Sequence, residues 1–296
     1  MKRIIYSFLA VLMVISVITG CKKSSDTGTL RLSITDAPID SDGVEAVYIK
    51  ITDIQYHISG NNFVSFDDFE GPVSFNLLDL TRGATELLGD LEMPPGTYTQ
   101  LRFIVDAPEF GSGPIANPGC YIEFVDGTTQ TLFVPSGANT GYKGVGMFIV
   151  PSNGTVEVTA DFDVRKSVVR AGISGHYILK PAIRLVVDQQ AGKIMGSVTN
   201  IPDGKDIVIF AYEEGTYTAS EANDPEAEMA RFPNAVSSDP VDEAGAYHLA
   251  FLAPMTYDLI VVAIGEDESY QVLGMVEEVV VESKKTTIQS IDIAEL

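Results

Sequence analysis

Thirteen residues constrain the fold more than any others: Met93-Pro94-Pro95-Gly96-Thr97-Tyr98-Thr99-Gln100-Leu101-Arg102-Phe103-Ile104-Val105. Two prolines and a glycine make a rigid corner. After it, Leu101, Phe103 and Val105 alternate with Gln100, Arg102 and Ile104. A period of two puts the first set on one face of a half-buried strand. A related unit recurs at Pro254-Met255-Thr256-Tyr257-Asp258-Leu259-Ile260-Val261-Val262. Two turn-Thr-Tyr-strand units, neither beside a catalytic motif, predict two all-β modules rather than an enzyme.

The same rhythm runs through the chain. Leu30, Leu32 and Ile34 alternate with Arg31, Ser33 and Thr35. From Val44 to Ile58 one long strand carries a fault: Val47, Ile49 and Ile51 share a face, but Ile54, Tyr56 and Ile58 follow one residue out of phase. A bulge near Thr52-Asp53 would return both sets to the core. Short strands are expected at Phe63 to Phe66 and Val73 to Leu80, and a hairpin about Asp126-Gly127. Pro108 to Gly119 and Gly137 to Gly146 read as Gly- and Pro-rich loops, and Pro181 bends or edges a closing strand from His176 to Val187. After the polar link Asp188 to Gly192, six more strands follow at the spacing of a sandwich. Ser220 to Arg231, cut by Pro225, reads as a loop with one or two helical turns. The expected fold is all-β, two β-sandwich domains in tandem over 30–187 and 192–296.

Residues 1–20 belong to neither. Lys2 and Arg3, the apolar run Ile4 to Ile18 and a small-residue close have the layout of a secretory signal peptide. Ile18-Thr19-Gly20-Cys21 resembles the bacterial lipobox, which makes Cys21 the expected lipidation site and 21–29 a tether to the membrane. The expected location is the cell envelope, lipid-anchored at the outer membrane. Surface and periplasmic faces stay open, although Lys22-Lys23-Ser24-Ser25-Asp26 lacks an acidic surface-export cluster and leans toward the periplasm.

The chain carries 19 Lys and Arg against 41 Asp and Glu. Loss of Lys2 and Arg3 would take the net charge from −22 to −24, spread over both halves. Phosphate neutralisation needs clustered bases, so nucleic acid is excluded as a partner. With Cys21 lipidated, Cys120 has no disulfide partner and reads as a small buried residue.

Candidate chemistry is sparse. No Gly-x-Ser-x-Gly or Ser-x-x-Lys occurs, and Gly172-Ile173-Ser174-Gly175-His176 lacks the closing glycine. His57, His176 and His248 are isolated, and alternation opposite Tyr56 and Tyr247 predicts that His57 and His248 are exposed. Calcium is the one cofactor with a candidate ligand set, Asp36, Asp40, Asp42 and Glu45 around Gly43, since hard cations take several carboxylate oxygens from a flexible loop. Asp and Gly are also what ordinary turns use, and the spacing is not that of a helix-loop-helix site. Asp67, Asp68 and Glu70 form a weaker second set.

Four motifs occur in order: Leu32-Ser33-Ile34-Thr35-Asp36-Ala37-Pro38, Asn76-Leu77-Leu78-Asp79-Leu80, Pro95-Gly96-Thr97-Tyr98-Thr99-Gln100-Leu101-Arg102 and Leu179-Lys180-Pro181-Ala182-Ile183-Arg184. Together they resemble the lipoprotein family called domain of unknown function 4382, over about 28–187. The resemblance implies a β-sandwich and an envelope location in Bacteroidetes-type bacteria, with no catalytic residues to carry over. Residues 192–296 resemble more loosely the carboxypeptidase regulatory-like, transthyretin-like sandwich, through Gly196-Ser197-Val198, Gly245-Ala246-Tyr247 and Pro254-Met255-Thr256-Tyr257. The last lacks that family's glycine. Such modules are usually supports.

The function expected is therefore non-enzymatic: an anchored protein presenting Pro108 to Gly119, Gly137 to Gly146 and Gly215 to Asp239 to a protein or glycan partner. The alternatives are an envelope hydrolase with an acidic site assembled in space, and a periplasmic carrier of a small ligand or metal.

Overall fold

The computed structural model describes residues 26–36, 43–57, 62–112, 118–135, 141–171, 175–225, 229–265, 267 and 269–296. The signal-like segment and Cys21 lie outside them. Among the described residues no helix is long and apolar enough to cross a membrane.

The first body contains strands Gly28–Thr35 (β1), Val44–His57 (β2), Phe63–Ser65 (β3), Val73–Asn76 (β4), Glu86–Met93 (β5), Gly96–Val105 (β6), Tyr121–Phe124 (β7), Thr129–Phe133 (β8), Tyr142–Val150 (β9), Thr155–Phe162 (β10), Val168–Arg170 (β11), Tyr177–Leu179 (β12) and Ile183–Val187 (β13). They join in the order β11-β12-β8-β7-β2-β6-β9-β13-β10-β1-β5, with β3 and β4 also on β2. The sheet wraps one core, to which β1 gives Leu30, Leu32 and Ile34, β6 gives Leu101, Phe103 and Val105, and β10 gives Val158, Ala160 and Phe162. The out-of-phase halves of β2 both face that core, because the register slips between Ile51 and Asp53 against β6. The expected hairpin joins β7 to β8 through Gly127, at φ +79°.

Three readings of the sequence change here. Leu77–Leu80 is a 3-10 turn rather than strand, because the Asn76 side chain accepts from the Leu78 N–H and caps it. Gly144 and Gly146 belong to β9 rather than to a loop. A Cβ at Gly146 would collide with the Leu185 carbonyl oxygen, so the glycine is there to let two backbones approach. The chain from 180 to 182 breaks the last expected strand into β12 and β13 about Pro181.

The second body has strands Gly192–Thr199 (β14), Lys205–Glu213 (β15), Ser237–Pro240 (β16), Ala246–Leu252 (β17), Thr256–Gly265 (β18), Tyr270–Val280 (β19), Thr286–Ile288 (β20) and Ile291–Asp292 (β21). Sheet β17-β14-β20, with β21 on β14, faces sheet β16-β15-β18-β19. Ile194 and Leu249 from one sheet and Ile209, Leu259 and Val261 from the other share a core. The outer face of β15 and β18 is also covered, by Phe232 and Ala235 over Val208, Phe210, Ile260 and Val262. Burial on both faces explains why these two strands read as continuous apolar runs. The chain is thus all-β and built from two β-sandwiches in tandem.

Candidate functional site

Two consecutive bases on a single helical turn tie the bodies together. Val164–Ser167 (α1) follows β10 and is capped by Asp163, whose Oδ1 accepts from the Lys166 N–H at 3.1 Å. Asp36 Oδ1 accepts from the Val164 N–H at 2.9 Å. The turn aims Arg165 and Lys166 at the second body. Arg165 donates to the carbonyls of Arg231 and Phe232 at 2.9 and 2.8 Å, and Lys166 Nζ donates to the Ala235 carbonyl. Burial lowers the Lys166 ammonium from its ordinary range, against the opposing pull of Asp163.

A second tie starts from Arg82, in the turn after the Leu77–Leu80 3-10 segment at φ +57°. Its guanidinium donates to Asp239 at 3.1 Å, to Asp242 at 2.8 Å and to the Pro240 carbonyl at 2.6 Å. Asp239 is only 1% exposed and also accepts from the His248 N–H at 2.8 Å. Burial pushes its carboxyl up to about 6, even though that hydrogen bond and Arg82 pull it down.

Three clefts open along this seam. One of about 280 Å³ lies between Arg82, Lys193, His248 and Lys284. Another, of about 230 Å³, is lined by Arg165, Arg170 and Arg231 with Tyr177, Phe210 and Tyr270. The third, of about 430 Å³, brings together Asp161, Asp163, Lys166 and Arg184. Ten of the fifteen described Lys and Arg line one of the three, so the scarce positive charge of an acidic chain is gathered at the junction.

Of the three acids that line the third cleft, Asp161, Asp163 and Glu213, the first two are matched to bases. Asp161 pairs with Arg184, and Asp163 with Arg165 at 3.2 Å and Lys166 at 3.4 Å. Burial raises the Asp161 carboxyl despite Arg184. Asp163 thus braces the two bases that cross the seam.

The residues picked out in the sequence lie partly outside the described residues. Of the candidate calcium ligands, Asp40 and Asp42 lie outside the described residues. Asp36 is buried against α1, and Glu45 is exposed. Asp68 accepts from the Glu92 N–H at 2.6 Å. Among the described residues no group of three His, Cys, Asp or Glu is arranged to hold a metal. Cys120 is fully buried, which pushes its thiol up to about 12. His176 is exposed beside Phe110 and Phe133. His57 is half-buried rather than open, with its ring centroid 5.2 Å from that of Phe63.

His248 departs further from the exposed strand histidine that alternation suggested. It is half-buried in the seam against Gly83, its Nε2 enclosed, and burial and the neighbouring Lys193 lower its pKa. The expected binding loop Gly215 to Asp239 also differs. Its stretch from Arg231 to Asp239 supplies the carbonyls and the carboxylate that grip the first body, so that part is interface.

The model of the family described as domain of unknown function DUF4382 matches residues 27–181. The chain belongs to that family. The matched residues include α1 and Arg82, so both sets of seam bases from the first body lie inside the family domain. A comparison with curated proteins returns no match. Among solved structures the chain is similar to the Bacillus anthracis TIE protein, at 11% identity and a TM-score of 0.22, over 90% of this chain and 34% of that one. It is also similar to the minor pilin GBS52 of Streptococcus agalactiae, at 11% identity and 0.21, over 88% and 94%. A third is BcpA, the major pilin subunit of Bacillus cereus, at 9% identity and 0.23, over 90% and 69%. The chain thus spans about a third of the TIE protein. At these scores none of the three places the fold.

Proposed function

We propose that the chain is a lipid-anchored protein of the cell envelope whose two sandwiches act as one non-enzymatic scaffold, binding a protein or glycan partner. The observation that carries the reading is the seam: Arg82, Arg165 and Lys166 cross it onto a buried carboxylate and backbone carbonyls. Buried charges so paired hold one relative position of the two bodies, because breaking a pair strands a charge in low dielectric. Clefts between rigidly joined domains are common places for ligands. The signal-like residues 1–20 and Cys21 support the anchor, and two or more acyl chains would make it stable.

The second body is read as a carboxypeptidase regulatory-like support. Two glycines of the motifs behind that reading are structurally required: a Cβ at Gly196 would collide with the Gln289 carbonyl oxygen, and Gly245 sits at φ +79°. The hydrolytic alternative has less support, since two of the three acids that line the third cleft are matched to bases.

Fractionation and protease shaving of cells expressing the wild type and Cys21→Ser test the anchor. The wild type is expected with membranes and the variant in the soluble fraction. A variant that stays with membranes overturns lipid anchoring. Loss of full-length wild type on shaving intact cells would put the scaffold on the surface, and its survival would put it in the periplasm.

A further inference from the structure

The cleft of about 230 Å³ is lined by three arginines and no carboxylate, in a chain with 41 acidic and 19 basic residues. One of the three, Arg165, is largely buried. The Arg165 side chain is 7% exposed, and its Nε–H is buried with no acceptor among the described residues, although the other nitrogens bond carbonyls and Asp163. A buried donor left unmet is uncommon and calls for an acceptor. On the rim Arg170 is exposed and its side chain has no ion pair or hydrogen bond among the described residues. The opposite wall is fixed, because Arg231 is held by the Ala222 carbonyl and Asp224 and lies 4.1 Å over the Tyr270 ring.

Guanidinium groups present a planar fork that matches a carboxylate, which a lysine ammonium does not. The cleft is smaller than the roughly 300–1,000 Å³ of sites for drug-sized ligands, so it suits one ring rather than a length of peptide. Tyr177 and Tyr270 add aromatic rings beside the arginines.

We propose that this cleft binds a carboxylate-bearing sugar residue, a uronic acid, either free or within an acidic glycan. Arg170 supplies the unpaired charge at the mouth, opposite the fixed guanidinium of Arg231. The proposal rests on the reading of the chain as a binding scaffold, not on its anchorage.

Calorimetric titration of the full chain with sodium glucuronate tests it, with glucose as the neutral control at matched ionic strength. Glucuronate is expected to saturate one site and glucose to give no signal. Arg170→Gln is expected to weaken binding by about tenfold or more, the loss of one charge-assisted contact. Its melting temperature should hold, since Arg170 supports nothing around it. Lys205→Gln, remote from the cleft, should bind as wild type does. Oligogalacturonate tighter than the monomer would mark a glycan chain as the source, and equal affinity the free acid. Equal binding of glucose, undiminished binding by Arg170→Gln, inorganic sulfate matching glucuronate, or a hexaglutamate peptide displacing it with higher affinity would each overturn the proposal. Any of these leaves the membrane fractionation result standing, so the two readings fail separately.

Discussion

Arg82 in the first body and Asp239 in the second meet at 3.1 Å across a gap of 157 residues in sequence, and the carboxylate is almost wholly enclosed. Folded, Asp239 titrates near 6, above its ordinary value of 3.8, because burial disfavours its charge. Between those values the folded chain holds a proton that the unfolded chain has released. This group's contribution to stability is therefore largest at the acid end, falls as pH rises from about 4 to about 6, and is flat above. Arg82→Met removes the counter-charge and strands the carboxylate. The variant should lose about 2–4 kcal/mol near neutral pH. Its Asp239 should titrate higher still, so urea melts should show a smaller gap to wild type at pH 5.5 than at pH 7.5. A gap independent of pH would show that Arg82 does not act through Asp239.

The α1 bases predict that the two bodies unfold together. Arg165 and Lys166 bond three carbonyls of the 231–235 stretch, which also covers the outer face of β15 and β18. Loosening the grip uncovers Phe210 and Phe232 as well. Calorimetry of the wild type should give one cooperative transition. The double variant Arg165→Met/Lys166→Met should give two, with the second body melting first. A single unbroken transition in the variant would mean that the seam is held by other contacts.

Tyr98 and Tyr257 do the same work in the two bodies. Each follows a proline-containing turn and donates its hydroxyl to the carbonyl four residues back, Pro94 at 2.7 Å and Ala253 at 3.0 Å. Both rings are buried, and burial raises both phenols, that of Tyr257 to about 12. Tyr98→Phe and Tyr257→Phe should each cost about 1 kcal/mol in urea unfolding, the usual net worth of one hydrogen bond. The two losses should add, since the sites share no partner. A neutral change at either position would reduce that corner to packing alone.

How much of this was written in the residues follows from where each signal lives. Leu101-Arg102-Phe103 alternates because one face meets a core, and the fault in β2 is visible as a slip of phase at Asp53. In β10 the alternation misleads, because Thr159 and Asp161 on the polar face are buried as well. Strand β5 carries no alternating signal because Gly89, at φ +155°, sits where the register with β1 slips, which breaks the alternation of Leu87, Leu88 and Leu91. Strand β16 is silent in the sequence for another reason. Ser237-Ser238-Asp239 has the composition of a turn, yet all three are buried because the first body covers them. The seam itself could not be read, since its acceptors are mostly backbone carbonyls, which every residue has. The one hint was negative: few bases in an acidic chain, with Arg165 and Lys166 adjacent.

Gly146 yields the prediction that separates a loop from a strand most cleanly. Glycines at 144 and 146 look like flexibility in the sequence, but β9 passes so close to β13 that a side chain at 146 has nowhere to go. Its φ is negative, so alanine meets no backbone penalty and any effect must come from the missing space. Gly146→Ala should destabilise by about 2 kcal/mol, the usual scale for an overpacked site. The strain falls on Leu185, whose Cβ and carbonyl face the glycine. A Leu185→Ala change in the same chain cannot relieve it, because the carbonyl stays. Urea melts of Gly146→Ala, Leu185→Ala and the double variant should therefore show additive losses. Recovery in the double variant would place the obstruction at the Leu185 side chain, and an unchanged midpoint for Gly146→Ala would mean that β9 and β13 do not approach as closely as the glycine implies.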